Sequence, residues 1–389
     1  MGKRRKKQNK SKKNNLEIAK GNVLAAFREA KKAGITVNKE NMRESAYESY
    51  QKSMITMLND LAGIQGVDSK RLLPKYMNGK SWDEYFEHLS NRYESGSLSA
   101  GQIQRRVHAL EAFRHFVNET NVCGNTKIRV GNKEERLNYL KFRGVVRSKD
   151  EITAIKPSNE EVAEVHSNIN TRTESGRLAQ TINKLQFYTG ARIKSVFKLE
   201  VRDIDFDKGT ISFRNDKNNF SRTIPLNKEA KDLLEDACNG KKPGAFLFTI
   251  KGRDGNDKKI EDAVKVIQSY TTEAAKSSGV NRENRRFSTH SNRKGYAQNF
   301  YSSTRYMSSK QIKKLIGEFV KNQGSNREQI VARMKTELDR INTYRKKRNL
   351  KKKGFSHEQL RRLLVSLHLG HSRCDIVLSY IKPDKKSTF

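Results

Sequence analysis

Apolar residues recur at helical spacing through the first third of the chain, from Leu16 to Glu119. An apolar side chain returns there every three or four positions, which is the period of an amphipathic helix. The residues form four patches: Val23, Ala26 and Phe27; Tyr47, Tyr50, Met54, Met57 and Leu58; Trp82, Tyr85, Phe86 and Leu89; and Ile103, Val107, Leu110, Phe113 and Phe116. Ser99, ahead of the last patch, is of a type that caps helix N-termini. The pattern predicts a small helical domain over residues 16–145.

The helical period is lost after residue 120. Residues 120–156 contain three glycines and the polar run 147–150, so a linker is predicted at 146–157. Ser158 then stands three residues before Glu161, which is the spacing of a capping box at a helix start. A second domain is therefore predicted over residues 158–389.

In one part of the second domain, apolar and polar residues alternate with a period of two. Residues 209–213 and 221–226 alternate apolar and polar side chains, and the polar segment 215–219 lies between them. This pattern predicts a β-hairpin. The remaining segments return to the helical period, so the predicted fold class is mostly α with a small antiparallel β-sheet.

The net charge of the chain indicates the kind of partner that it binds. The 389 residues include 80 Lys and Arg against 43 Asp and Glu, a formal net charge of +37. Such an excess indicates a polyanionic partner, of which nucleic acid is the commonest. Residues 1–15 carry eight cations and no acid and are predicted to be a disordered basic arm.

The sequence also excludes several classes of protein. No apolar run is long enough for a transmembrane helix, and no apolar stretch follows the basic N-terminus as in a secretory signal. The cysteines are odd in number and far apart, which fits neither a disulfide framework nor a zinc site; they are Cys123, Cys238 and Cys374. We expect a cytoplasmic, nucleoid-associated protein with no metal and no membrane partner.

Four short strings hold the candidate chemistry: TGARI at 189–193, DKNNFSRTIPL at 216–226, HSNRK at 290–294 and LGHSRCDIVLSY at 369–380. Phosphodiester transfer builds negative charge on non-bridging oxygens, which two guanidinium groups, Arg192 and Arg293, can clamp. A tyrosine hydroxyl ordinarily ionises near pH 10, so Tyr380 as nucleophile needs a proton acceptor, for which His290 is the candidate. A departing 5′ alkoxide needs a proton, which Lys217 can donate.

In this order and spacing the strings resemble the catalytic boxes of the tyrosine recombinase, or phage integrase, family. The family pattern is an Arg in T-G-x-R, a Lys in a β-turn, H-x-x-R, and G-H followed nine residues later by the nucleophilic Tyr. The matching residues are Arg192, Lys217, His290, Arg293, His371 and Tyr380. The resemblance spans about 157–382 and implies a tyrosine-recombinase-type catalytic domain, with His371 as a further hydrogen-bond donor to phosphate. More loosely, the 40–120 region looks like the family's helical core-binding domain.

Two features depart from the family pattern. Ser195 stands where many members have an acidic residue, three positions after the first Arg, so a carboxylate that would orient Arg192 is missing or comes from elsewhere. His290 and His371 are also much farther apart than is usual, which implies an insertion at about 303–356.

The predicted insertion is strongly basic. Sixteen cations and four acids lie between Ser302 and His357, with two amphipathic stripes separated by Gly324 and Ser325. We expect a basic helical hairpin that makes extra contacts to DNA or to another protomer; the alternative is an inert solvated elaboration. Three cations beside the boxes are expected to be phosphate contacts: Lys194, Arg222 and Arg373.

The resemblance implies a site-specific DNA recombinase whose two domains clamp duplex DNA. A homotetramer on two paired sites would exchange strands through a 3′-phosphotyrosine intermediate and a Holliday junction, with no metal or nucleotide cofactor. A role as integrase of a mobile element or phage, with an accessory DNA-bending protein as partner, is expected. The alternatives are a type IB topoisomerase, a telomere resolvase with similar chemistry, or a non-catalytic DNA-binding accessory protein of the same fold.

Overall fold

The computed structural model describes residues 13–37, 42, 44–77, 79–124, 126–130, 132–145, 155–216, 220–282 and 285–384. The chain forms two compact units, residues 1–151 and 152–389. Most of the predicted basic arm and of the predicted linker, together with Lys217, lies outside the described residues. Within the described ranges no helix has the length and apolar character needed to cross a bilayer.

The described part of the first unit contains five α-helices, and the four predicted apolar patches lie on the first four of them. The helices are α1 (Asn15–Lys32), α2 (Glu44–Gln65), α3 (Gly79–Glu94), α4 (Ala100–Thr120) and α5 (Lys133–Phe142). Helix α4 begins after Ser99, whose hydroxyl accepts the backbone N–H of Gln102, while the Gln102 side chain accepts the N–H of Ser99. Helix α5 lies where no helix was expected, because ten residues are too few to display the apolar period.

The four predicted apolar patches form one core in this unit. Phe27 and Phe116 meet edge to face with 5.0 Å between ring centroids, and Phe113 stacks on Phe27. Each buried phenylalanine contributes about 2–3 kcal/mol of transfer free energy. The aromatic core therefore supplies much of the stability of the helical unit.

The second unit combines nine α-helices and one three-stranded sheet in its described part. The helices are α6 (Asn159–Ser167), α7 (Glu174–Thr189), α8 (Ile193–Val196), α9 (Lys228–Cys238), α10 (Ile260–Ser277), α11 (Thr289–Ser303), α12 (Ser309–Lys321), α13 (Arg327–Lys346) and α14 (His357–His368). The strands are β1 (Ile204–Asp205), β2 (Thr210–Asp216) and β3 (Phe220–Pro225), in the order β1-β2-β3. The predicted fold class, mostly α with a small antiparallel sheet, is confirmed.

The predicted hairpin consists of β2 and β3, which pair antiparallel with Ile211 opposite Ile224. Both strands reach farther toward the turn than the apolar alternation indicates. A third strand, β1, pairs with β2 through Ile204 and Ile211 and was not predicted. Two residues are too short a segment to show a period of two, so this strand depends on its neighbour.

The predicted helix start at Ser158 is confirmed. Its hydroxyl accepts the N–H of Glu161 at 3.2 Å, and the Glu161 carboxylate accepts the N–H of Ser158 at 3.0 Å. Helix α7 ends at Gly190, which has a φ of +63°. A Cβ at Gly190 would lie 2.4 Å from the ring of Tyr296, so both conformation and space require glycine. This stop places Arg192 directly before α8.

The segment predicted as a basic insertion, 303–356, contains α12 and α13 with a short turn at Gly324–Asn326 between them. Their apolar stripes are not solvated. The stripes are buried in the core of the second unit through Ile312, Ile316, Phe319, Ile330 and Ile341. The helices are thus part of this unit's core, and their cations lie on the outward faces except for the half-buried Arg333 and the buried Arg345.

Candidate active site

Arg192 lies at the junction between α7 and α8, with 19% of its side chain exposed. Its Nη1 donates to Oδ2 of Asp216 at 2.5 Å, and its Nη2 lies 3.2 Å from Nε2 of His371. The guanidinium is therefore held between the end of β2 and the segment after α14.

Arg293 projects from the second turn of α11 and is fully buried. It donates through Nη1 to the carbonyl of Gly190 and through Nη2 to that of Leu369, which ties α11 to the ends of α7 and α14. Burial, and then the nearby positive charge of Arg192, lower the pKa of Arg293 to about 9. A bound anion would offset both effects, so the two neighbouring guanidinium groups favour an anion between them.

His371 follows Gly370, which ends α14 with a φ of +67°. Its Nε2 lies 3.2 Å from Nη2 of Arg192, 3.2 Å from Nη2 of Arg293 and 3.3 Å from the hydroxyl of Tyr380. Guanidinium groups only donate hydrogen bonds, so these contacts assign the lone pair to Nε2 and the proton to Nδ1. The same lone pair can accept the proton of Tyr380.

Tyr380 ends a single 3₁₀ turn, Ile376–Ser379, and is 7% exposed. The guanidinium of Arg293 lies over its ring, 5.6 Å from the centroid. The ammonium of Lys156 donates to the carbonyls of Leu378 and Ile381 at 2.8 and 2.6 Å, on either side of the tyrosine. The phenol is thus fixed with its hydroxyl inside the site.

His290 lies in the first turn of α11 and is exposed. Its ring is beside that of Tyr380, with 5.3 Å between centroids. The Tyr380 hydroxyl also lies 3.3 Å from Nε2 of His371. His290 stays the proton acceptor predicted from the sequence, and His371 is a second candidate.

Asp216 is a member of the site that the sequence analysis did not assign. It ends β2, directly before Lys217, and only 2% of its side chain is exposed. Its Oδ2 accepts from Arg192 and Arg222, and its Oδ1 accepts the hydroxyl of Ser195 at 2.7 Å. In the sequence, the one indication of this role is an acidic residue at the start of the DKNN string. An acidic residue there is equally typical of a turn.

Arg222 was expected to contact phosphate, and this expectation is wrong. Its side chain is fully buried, ion-paired to Asp216, and its guanidinium lies 4.6 Å above the ring of Phe213. The two other cations of that group are exposed and paired, Lys194 with Glu261 at 2.8 Å and Arg373 with Asp375 at 2.6 Å.

Helix α13 supports the loop between His371 and Tyr380. The buried Glu337 carboxylate accepts the backbone N–H of Cys374 at 2.8 Å and two N–H groups of Arg340 at 2.7 and 2.8 Å. Burial, and then the charge of Glu337, raise the pKa of the Cys374 thiol to about 12. This thiol is therefore not a competing nucleophile.

Five of the six predicted site residues lie together in the second unit: Arg192, His290, Arg293, His371 and Tyr380. Lys217 lies outside the described residues. No group of three His, Cys, Asp or Glu side chains in the described ranges is arranged to hold a metal ion.

Part of the chain matches a known family, and its fold is similar to that of solved structures. Residues 158–317 match the model of the phage integrase family. In fold the chain is similar to the integrase of transposon Tn1549, which was solved in complex with transposon right end DNA. The TM-score is 0.53 and the sequences are 13% identical, and the match covers 94% of this chain and 95% of the Tn1549 chain. For lambda integrase bound to DNA the TM-score is 0.48 and the identity is 15%. That match covers 72% of this chain and 87% of the lambda integrase chain. No curated protein matches the sequence. Residues 158–317 thus form a domain of the phage integrase, or tyrosine recombinase, family, and the chain shares its fold with the Tn1549 integrase.

Proposed function

We propose that this protein is a site-specific DNA recombinase that breaks and rejoins strands through Tyr380. One observation carries the proposal: the Tyr380 hydroxyl and the guanidinium groups of Arg192 and Arg293 converge on Nε2 of His371, at 3.3, 3.2 and 3.2 Å. A nucleophile, a proton acceptor and paired cations are what transesterification at a phosphodiester needs.

In the cleavage step the oxygen of Tyr380 attacks phosphorus, and its proton passes to Nε2 of His371. The bond from phosphorus to the 5′ oxygen breaks, which leaves a 3′-phosphotyrosine and a 5′ hydroxyl. Arg192 and Arg293 stabilise the charge on the non-bridging oxygens. Lys217 protonates the departing oxygen, and His290 donates a hydrogen bond to the phosphate, so the two imidazoles exchange the roles that the sequence indicated.

Rejoining reverses these steps with a different 5′ hydroxyl as nucleophile. One phosphoester bond is exchanged for another, so the phosphotyrosine conserves the bond energy and neither metal nor nucleotide is required. In our proposal four protomers on two paired sites exchange one strand pair, pass through a Holliday junction and exchange the other. The transposon DNA bound to the similar Tn1549 integrase supports a role as integrase of a mobile element or phage. We also propose a DNA-bending protein as an accessory partner.

We further propose that the cationic tract 346–353 contacts the DNA backbone. The tract holds six cations and no acid, and all its residues are exposed. Arg348 also lies over the ring of Tyr344, 4.6 Å from its centroid. An exposed run of cations next to an aromatic ring suits phosphate contacts better than a protein interface, which is depleted of Lys.

The test uses the full chain and a pool of DNA duplexes with a randomised core, in the presence of EDTA. Wild-type protein should become attached to the 3′ phosphate of a subset of duplexes, and sequencing of the adducts should give one site. Tyr380→Phe should bind the pool with unchanged affinity and form no adduct. The absence of an adduct from the wild type would overturn the proposal in favour of a non-catalytic DNA-binding protein.

Tyr306→Phe is the matched control, because this tyrosine of the same unit is 91% exposed and lies outside the site. It should form adducts at the wild-type rate. Adducts from Tyr380→Phe would mean that another nucleophile acts. Relaxation of a supercoiled plasmid that lacks the selected site would contradict site specificity and favour the topoisomerase alternative.

A further inference from the structure

The carboxylate of Asp216 contacts three side chains from two segments, the start of α8 and strand β3. Oδ2 accepts from Arg192 at 2.5 Å and from Arg222, and Oδ1 accepts the Ser195 hydroxyl at 2.7 Å. We propose that Asp216 is the positioning carboxylate of Arg192, supplied from β2 in place of the acid that the family pattern puts at residue 195. This inference rests on the proposed function, in which Arg192 clamps the phosphate.

An arginine that clamps a phosphate needs its guanidinium plane fixed in advance, since fixing it in the transition state costs side-chain entropy. The bond from Nη1 to Asp216 fixes one edge of the plane of Arg192. Nη2 then faces His371 at 3.2 Å, inside the site. Without the carboxylate, the guanidinium would be free to turn toward solvent, because part of its side chain is exposed.

Ser195 and Asp216 complement each other. The Ser195 hydroxyl lies within hydrogen-bonding distance of Oδ1, so a carboxylate at position 195 would face a second buried carboxylate. Two such groups repel each other unless one takes up a proton, and a protonated carboxyl would hold the arginine more weakly. An acid at position 216 thus requires a small neutral hydrogen-bond donor at position 195. The single positioning carboxylate can come from either position, but not from both.

Arg222 makes the burial of Asp216 tolerable. A carboxylate removed from water needs paired charge and hydrogen bonds, and a single cation shared with the phosphate would not suffice once the phosphate binds. Arg222 is fully buried and keeps its contact with Oδ2 away from the DNA. Gly370 leaves room for this pair, because a Cβ there would lie 2.8 Å from Nη1 of Arg222.

The rival interpretation is that Asp216 only neutralises Arg222 and stabilises the fold. The two interpretations differ in their coupling to Arg192. A positioning residue loses its effect on the cleavage rate when the residue that it positions is already impaired, whereas a residue with a general structural role lowers the rate by the same factor in both backgrounds.

The experiment measures the single-turnover rate of adduct formation on a duplex recovered from the randomised pool. Asp216→Asn should slow cleavage by about ten- to a hundredfold with little change in DNA affinity. In the Arg192→Lys background the same substitution should lower the rate by less than about threefold, because the guanidinium group that Asp216 positions is already absent. Asp203→Asn is the control, since Asp203 is a buried carboxylate paired with Arg214 at 2.6 Å. Its effect should be small and equal in both backgrounds.

A second set of variants moves the carboxylate. Ser195→Asp alone should slow cleavage, because it places two acids together, whereas Ser195→Asp combined with Asp216→Asn should recover most of the rate. A normal rate for Asp216→Asn, equal losses in the two backgrounds, or a folded double variant as slow as Asp216→Asn would each overturn the inference. The wild-type adduct with Tyr380 remains the separate test of the proposed function.

Discussion

At the scale of single residues, one nitrogen connects the parts of the site. Nε2 of His371 lies within 3.3 Å of the Tyr380 hydroxyl and 3.2 Å of both guanidinium groups. A bound phosphate would draw the arginine donors to its own oxygens. The lone pair would then be available to the tyrosine alone, so in the proposed mechanism binding of the substrate and activation of the nucleophile are linked through one atom.

The two imidazoles should differ in their contribution to cleavage. We expect His371→Asn to slow adduct formation by about a hundredfold or more, the usual contribution of a proton acceptor in place. His290→Asn should slow it by less than about tenfold, as expected for one donor among several to the phosphate. Single-turnover rates on the selected duplex check this order. The reverse order would return the role of proton acceptor to His290.

Lys217 should matter only for departure of the 5′ oxygen. Lys217→Ala should slow cleavage of the ordinary duplex and be rescued by a duplex whose bridging 5′ oxygen is replaced by sulfur, because a thiolate leaves without a proton. The comparison of the two substrates in a burst assay checks this expectation. Equal loss on both substrates would indicate that Lys217 binds phosphate or a base edge. Arg192→Lys on the sulfur substrate is the control and should not be rescued.

At the scale of elements, α13 faces two environments. Its buried Glu337 supports the loop that carries Tyr380, and its C-terminal end opens into the exposed tract 346–353. The buried Arg345 fixes the path of the chain after the helix by donating to the carbonyl of Lys353 at 2.6 Å. The helix therefore belongs to the active-site scaffold on one side and to a solvent-exposed cationic surface on the other.

Removal of the Glu337 carboxylate should weaken the loop from within. Glu337→Ala leaves the buried N–H of Cys374 unpaired, which should lower the free energy of unfolding by about 1–3 kcal/mol and slow cleavage. Glu337→Gln keeps one acceptor and should recover most of both properties. Urea unfolding and adduct formation measure the two effects. Glu328→Ala, an exposed glutamate on the same helix, should change neither; if all three variants are alike, α13 does not position the loop.

The cationic tract should strengthen DNA binding in a salt-dependent way. Changing Lys347, Arg348, Lys351 and Lys352 to Ala should reduce the slope of log affinity against log salt by roughly 3–4, about 0.9 for each phosphate that is no longer neutralised. Adduct formation at saturating DNA should persist. The charge-matched control changes four dispersed exposed lysines: Lys228, Lys242, Lys258 and Lys276. A slope equal to that of the wild type would leave the tract as a solvated surface.

At the scale of the whole molecule, two buried histidines make the second unit sensitive to acid. Burial lowers the pKa of His166 to about 4 and that of His368 to about 3, from an ordinary value near 6.5. Below pH 6.5 the unfolded chain therefore binds protons that the folded chain does not. The stability associated with each histidine is fully present above about pH 6.5 and is lost as the pH falls toward the folded value.

We expect the free energy of unfolding of the second unit to fall by about 2 kcal/mol for each of these histidines between pH 6.5 and pH 5. Urea unfolding at a series of pH values measures the slope. His368→Phe keeps a ring between Phe300 and Phe319 and should remove about half of the histidine contribution. An unchanged slope in this variant would contradict the assignment to His368.

The sequence by itself determined the features that depend on neighbours along the chain. The caps at Ser99 and Ser158 are made by groups three residues apart, and the apolar period of the first unit follows from one face of each helix. The spacing of nine residues between His371 and Tyr380 likewise allowed both to be assigned before their contact was seen. Such features depend on local geometry and on the few residue types that suit phosphoryl chemistry.

Only the tertiary structure decided which charged groups meet. Asp216 and Ser195 are 21 residues apart and come together because β2 lies against α8, and Glu337 reaches Cys374 across 37 residues. The same packing buries Arg222, which the sequence represents only as another cation. Whether a charge contacts a phosphate, pairs inside the core or positions a catalytic side chain depends on its burial and its partners. These are fixed by the approach of separate elements, which no local pattern records.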